Sequence, residues 1–189
     1  MAENPAGQVV LRRLQVEDVP TIARFEREIA EISFPEDPVT DLAFYERKLT
    51  QAVSDPKSEP MVGETDGRIV AWAWIGTREN FITRERYGEL RSFYVTQDFR
   101  GTGYALKLMR ACMDYCATHG LARLSGRTHA ANEAMQAVYQ TFGFDAKHVT
   151  YERRIEPAGA RAAAPVAPRP RPKPGVGLFR RARGGKKQR

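Results

Sequence analysis

The sequence predicts an α/β (α+β) domain of six to seven strands and about four helices over residues 8–156, followed by a disordered basic tail over 157–189. Three observations lead there. Short runs of β-branched and aromatic residues alternate with stretches whose apolar residues keep helical spacing. A strand, a glycine-rich turn and a helix follow one another directly between Leu90 and Cys116. The composition then breaks at Pro157, beyond which ten Lys or Arg are matched by no acid. The other 156 residues hold 20 basic against 23 acidic side chains, so the net charge of +7 belongs to the tail and the body is mildly acidic.

In chain order, Val9–Leu14 alternates as a first strand, and Asp18 can cap a helix over Val19–Ile32 whose apolar face is Ile22, Phe25, Ile29 and Ile32. Phe34-Pro35-Glu36-Asp37-Pro38 interrupts it, because each proline disfavours helix at the residue before it. A second helix is expected over Thr40–Val53. Met61–Glu64 and Val70–Ile75 read as strands joined across Asp66-Gly67, a pair that closes hairpins. Trp72 and Trp74 share one face of the second of these and are expected in the core. Leu90–Val95 is the next strand, and apolar residues at 105, 106, 108, 109, 112, 113 and 116 space as a helix that Gly120 ends. Leu121–Thr128 gives another strand, a helix follows Asn132, and Phe144 and the alternating His148–Ile155 supply closing strands.

Between strand and helix lies Arg100-Gly101-Thr102-Gly103-Tyr104-Ala105. Glycines let the backbone approach a ligand closely, and the first free N–H groups of a helix face an anion with the positive end of the dipole behind them. This says phosphate without saying which. A P-loop would close with Gly-Lys-Ser/Thr. A dinucleotide site would need three spaced glycines and an acid about 20 residues on, at a strand end. A second motif is Asn132-x(6)-Tyr139-x(3)-Gly143-Phe144. On a helix Met135, Val138 and Phe142 form one stripe, while Asn132 and Tyr139 lie on its flank, about 20° and roughly 10 Å apart.

The order Val95-x(4)-Arg100-Gly101-x-Gly103-x-Ala105-x(2)-Leu108 resembles the acyl-CoA pyrophosphate loop of the GNAT superfamily of N-acetyltransferases. The second motif resembles that superfamily's second block, in the right order and one strand later. The likeness covers Val9–Ile155, with Met135 where alanine is more usual. It implies a central mixed, mostly antiparallel sheet flanked by helices, and direct transfer of an acetyl group from acetyl-CoA to a primary amine of a small molecule or protein.

The resemblance also assigns roles. Glu89 would be the general base, the other reading being an exposed carboxylate at a strand start. A backbone N–H of Phe93, Tyr94 or Val95 would meet the thioester oxygen, and Arg100–Ala105 would hold the pyrophosphate. Tyr139 would protonate the departing thiolate, unless it only packs at the core edge. Asn132 would bond the pantetheine or the arm near the phosphates. The acceptor is expected near Phe34, Glu36, Asp37 and Tyr45, where Glu36, Asp37 and Asp41 would draw a cationic amine. The plainer reading is a solvated loop with Asp41 at a helix cap. A homodimer would also be in keeping with the superfamily.

His119, His129 and His148 lack metal-ligand spacing, and no metal is expected. Cys112 and Cys116, one helical turn apart, read as free buried thiols in a reducing compartment. With no apolar run of membrane length and no signal-peptide pattern, a cytoplasmic location is expected. The tail reads either as a contact for nucleic acid or an anionic surface, or as a solubilising appendage. The competing function is a non-catalytic CoA-binding or sensing module docked by that tail.

Overall fold

The structure is a computed structural model in which residues 9–153 and 155 are described. The chain divides after Lys147. In the first unit the alternating and helical periods sort into Val10–Arg13 (β1), Val19–Ser33 (α1), Leu42–Ser54 (α2), Ser58–Thr65 (β2), Arg68–Glu79 (β3), Arg86–Val95 (β4), Tyr104–Thr118 (α3), Leu124–Gly126 (β5) and Glu133–Thr141 (α4). Among the described residues the strands form a five-stranded sheet in the order β1-β2-β3-β4-β5. The first four pair antiparallel, and β5 runs parallel to β4. The mixed, mostly antiparallel sheet and the four helices are as expected.

Local chemistry explains the boundaries. Asp66 and Gly67 both take positive φ (50° and 71°), the backbone of a hairpin turn whose twist suits its strands. Asp41 caps α2 through a side-chain oxygen that accepts from the Ala43 N–H at 3.0 Å. Residues alternate across β3, so the two faces of the sheet carry separate cores. On one face Ala71, Ala73 and Ile75 pack with Leu90, Val95 and the α3 residues Leu108, Met109, Cys112 and Cys116. On the other, Val62, Trp72 and Tyr94 pack with Ile22, Ala23 and Phe25 of α1 and Tyr45 and Leu49 of α2. Both cysteines are free and buried.

The closing strands do not form. Residues 148–153 and 155 lie outside any strand, and Val149, Tyr151 and Ile155 are exposed. Alternation tells which residues can share a face, but it does not supply a partner ladder. The described sheet therefore has five strands instead of six or seven. The expected tail at 157–189 lies outside the described residues.

Candidate functional site

The glycine turn has the backbone its sequence asks for. Gly101 and Gly103 sit at φ 79° and 88°, a region side chains with a Cβ rarely enter. Gly103 is the N-cap of α3, and its carbonyl accepts from the N–H groups of Leu106 and Lys107, both at 3.1 Å. Thr102 Oγ1–H donates to the Phe99 carbonyl at 2.6 Å and Arg100 Nε–H to that of Val95 at 3.1 Å, pinning the turn to the end of β4. Among the described residues the N–H groups of Gly101, Gly103 and Ala105 have no backbone acceptor. They make a nest of donors at the positive end of a 15-residue helix, suited to a pyrophosphate. Tyr104 is buried, its ring stacked on Phe99 with centroids 5.5 Å apart. It contributes packing and its place in the backbone.

Upstream of this turn β4 changes partners. Its pairing with β5 covers only Gly88↔Leu124, Glu89↔Ser125 and Leu90↔Gly126. The next residue, Arg91, is the extra one at a bulge, because Leu90 faces Ile75 while Ser92 faces Trp74. Beyond it the strand pairs with β3 alone among the described residues. Thr96 N–H bonds the Val70 carbonyl on the β3 side at 2.9 Å. Strand alternation then turns the N–H groups of Phe93 and Val95 toward the unpaired edge. Tyr94 points its ring to the other face, against Phe25 at 4.8 Å, and its hydroxyl donates to Glu28. Burial and that carboxylate push the phenol up to about 12.

Tyr139 reaches the apex of this opening. A Cβ built on Gly126, the last paired residue of β5, would lie 2.2 Å from the Tyr139 hydroxyl. The phenol thus lies on the strand where the ladder ends. Its ring packs on Phe144 at 4.9 Å, and desolvation, with a smaller contribution from Cys112, pushes it up to about 12. It stays protonated at neutral pH. Asn132 caps α4, its Oδ1 accepting from Met135 N–H at 3.0 Å, which leaves the amide N–H₂ as its donor.

The opposite face of the bulge is lined by charge. Glu89 Oε2 accepts from Arg78 Nε at 2.7 Å and from Arg91 Nε at 3.3 Å, and the carboxylate is about one-fifth exposed (21%). The Arg91 guanidinium lies 5.1 Å from the centroid of Trp74. Both residues wall a cavity of about 340 Å³ with Lys48, Gln51, Ala52 and Asp55. Trp72 is fully buried, and its Nε1–H donates to Glu26 Oε1 at 2.6 Å. Burial holds the Glu26 carboxyl above the ordinary range, against hydrogen bonds from Ser92 and Trp72 and the charge of Lys48.

The residues expected to bind acceptor are scattered by comparison. Phe34, Glu36 and Asp37 are exposed on the connection between α1 and α2. Tyr45 is buried in the second core, its hydroxyl donating to the Val39 carbonyl at 2.8 Å. None of these four lines the cavity.

Residues 20–144 match the acetyltransferase (GNAT) family. The chain belongs to that family. It is 31% identical over 146 residues to the uncharacterized N-acetyltransferase YjgM of Escherichia coli (strain K12), an alignment spanning 75% of this chain and 84% of the relative. In fold it is similar to a predicted acetyltransferase from Clostridium acetobutylicum solved with acetyl-CoA (TM-score 0.64, 15% identity, 78% of this chain and 96% of the other). It is likewise similar to a ribosomal-protein-alanine N-acetyltransferase from Brucella melitensis biovar Abortus 2308 (TM-score 0.61, 20% identity, 78% and 100%).

Within this GNAT domain the sequence reading singled out neither Arg91 and Lys48, which line the cavity, nor Glu26 with its buried carboxyl. Glu26 had a signal, since it falls on the apolar face of α1 between Ile22 and Ile29, where a carboxylate is out of place. Arg91 had none, because its position on the cavity wall depends on the bulge. Among the described residues no group of His, Cys, Asp and Glu could hold a metal ion, and no helix is long and apolar enough to cross a membrane.

Proposed function

We propose that the domain transfers the acetyl group of acetyl-CoA directly to a primary amine, with Glu89 as base and Tyr139 as acid. The observation that carries this reading is the unpaired edge of β4, open between the glycine turn at one end and the Tyr139 phenol at the other. The amides of Gly101, Gly103 and Ala105 hold the pyrophosphate, and Asn132 bonds the pantetheine arm. The thioester then lies along the edge, where the N–H of Phe93 or Val95 faces its oxygen. Such a donor is already oriented when charge develops, so it costs no reorganisation in the transition state.

An alkylamine is protonated at neutral pH and must lose a proton before it attacks. Glu89 takes that proton from the bulge side. The amine nitrogen bonds the thioester carbon, the C–S bond breaks, and the thiolate takes the Tyr139 proton. The nitrogen's remaining excess proton returns to the Tyr139 phenolate, and Glu89 releases the proton it took to solvent. A phenol held near 12 is protonated when the thiolate forms. Glu36 and Asp37, exposed on the α1–α2 connection and outside the cavity, would act on a cationic amine only by long-range attraction, and changing both to Asn or Gln should then raise the acceptor's KM alone.

The test is a thiol-release screen over polyamines, aminoglycosides, amino acids and peptide N-termini, run with and without residues 157–189. Turnover with one class supports the transferase. Acetyl-CoA binding without thiol release across the panel would favour a binding module. In Glu89→Gln, activity should be lost mainly below the pH at which the amine deprotonates unaided. A superimposable pH profile would remove Glu89 as base.

A further inference from the structure

Resting on the transferase reading, we propose that the acceptor is a small amine bearing a carboxylate, which Arg91 and Lys48 receive in the cavity beside Trp74. The cavity's position ties it to the reaction. Arg91 is the bulged residue immediately after the last β4–β5 pair, so the wall that holds its guanidinium continues into the unpaired segment that faces the thioester. Glu89 touches Arg91 at 3.3 Å, which puts the proposed base and the proposed carboxylate partner side by side. An α- or β-amino acid has that arrangement, with amine and carboxylate a few bonds apart.

The charge on this wall is only partly met. Glu89 spends the same oxygen on Arg78, at the shorter 2.7 Å. Arg91 reaches it only through Nε, and its Nη atoms meet no acceptor among the described residues. Lys48 Nζ sits 5.1 Å from the Phe44 ring centroid with no carboxylate in ion-pair contact among the described residues. Asp55, the acid on the wall, already accepts from the Lys57 N–H at 2.9 Å. The fork of an Arg matches a carboxylate, and a charge-assisted pair is stronger than a neutral one.

Trp74 adds an independent observation. Its Nε1–H is buried and has no acceptor among the described residues. A buried unpaired donor is costly, and a small shift of the indole toward a ligand oxygen in the cavity would relieve it. The guanidinium has room beside the indole because Gly76 has no side chain: a Cβ there would stand 2.8 Å from Arg91 Nη2. The volume, about 340 Å³, is at the small end of ligand sites and suits an amino acid better than an oligosaccharide. A polycationic acceptor would meet Lys48 and Arg91 as like charges.

The experiment measures acetyl-CoA-dependent thiol release by the full chain with L-alanine, β-alanine and L-glutamate, their amides, and putrescine. The amides have the less basic amine, so chemistry alone favours them. The proposal expects the acids to win in kcat/KM by roughly tenfold or more. Arg91→Gln should cut that preference through KM. Lys48→Glu, on an exposed helix position that does not threaten folding, should cut it too. Acetyl-CoA affinity, measured in parallel, reports that each variant is folded. Equal or better turnover of amides or putrescine would overturn the carboxylate proposal and leave the transferase standing. A preference surviving both variants would also overturn it. Silence from this panel alongside turnover of an aminoglycoside or a peptide N-terminus would overturn the carboxylate proposal alone, and silence from those as well, with acetyl-CoA bound, would overturn the transferase and this proposal together.

Discussion

The glycine turn after β4 and the cavity under its bulge draw on neighbouring parts of one stretch of chain, yet they are built in opposite ways. The turn is backbone: two residues at positive φ, a helix start, and N–H groups left without backbone acceptors. The cavity is side chains gathered from α2, β3 and β4 around a single extra residue. A backbone site needs a short, fixed run of residue types and suits a ligand group that does not change. A side-chain site can be rebuilt residue by residue without disturbing the fold. That division suits one invariant substrate and one that varies.

The two regions can be perturbed separately, and the largest effect is expected at the phenol beside the unpaired edge of β4. Tyr139→Phe should lower kcat by roughly 10²-fold while leaving acetyl-CoA affinity nearly unchanged. Gly126→Ala would drive a Cβ into the hydroxyl from 2.2 Å and should reproduce much of the loss. Because both act on one phenol, the double variant should be little worse than the worse single one. A kcat for Tyr139→Phe within about twofold of the original would demote the residue to packing against Phe144.

Next comes the turn itself. A Cβ on Gly103 would meet nothing within 4 Å, so Gly103→Val acts through backbone strain instead of collision. Left-handed backbone costs an ordinary residue ~1–2 kcal/mol, and a turn that leaves this conformation disperses its donors. Acetyl-CoA should bind roughly tenfold more weakly by calorimetry, with the acceptor's KM little changed. An unaltered affinity would mean the nest is not the phosphate site.

A smaller change is expected on the cavity side. Gly76→Ala should push the guanidinium off Trp74, raise the KM of a carboxylated acceptor severalfold and spare acetyl-CoA affinity. If both substrates weaken equally, the two regions are not separable.

The smallest effect concerns stability. The folded Glu26 carboxyl is raised, so the folded chain holds a proton that the unfolded chain releases near the ordinary value of about 4.3. The stability that this group contributes is therefore complete below that value and is lost as pH rises through the folded one. Glu26→Gln should flatten this decline in urea melts taken across pH. An identical slope would contradict the buried, raised carboxyl.

The same contrast decides what could be read from the sequence. Arg100–Ala105 and Asn132–Phe144 were legible because local spacing determines both the backbone and the face presented. Asp66-Gly67 and Asp41 were legible for the same reason, each acting on its neighbours through a turn or a cap. The cavity was not. The bulge at Arg91 shows only when β3 and β4 are laid in register, and Lys48 meets it only after α2 is docked. Phe34, Glu36 and Asp37 marked the connection between α1 and α2, not the cavity wall. Trp74, expected as core, is half-buried and forms part of that wall, while Trp72 is wholly buried. The alternation at 148–155 was real, yet alternation without a partner strand makes no sheet.

The most direct measurement is a calorimetric titration of the full chain with acetyl-CoA and, in parallel, with S-acetylpantetheine, which has the thioester arm and no pyrophosphate. The account predicts that acetyl-CoA binds more tightly by roughly tenfold or more, and that Gly103→Val removes most of the difference. Equal affinity for the two thioesters, or no heat from either, would contradict it.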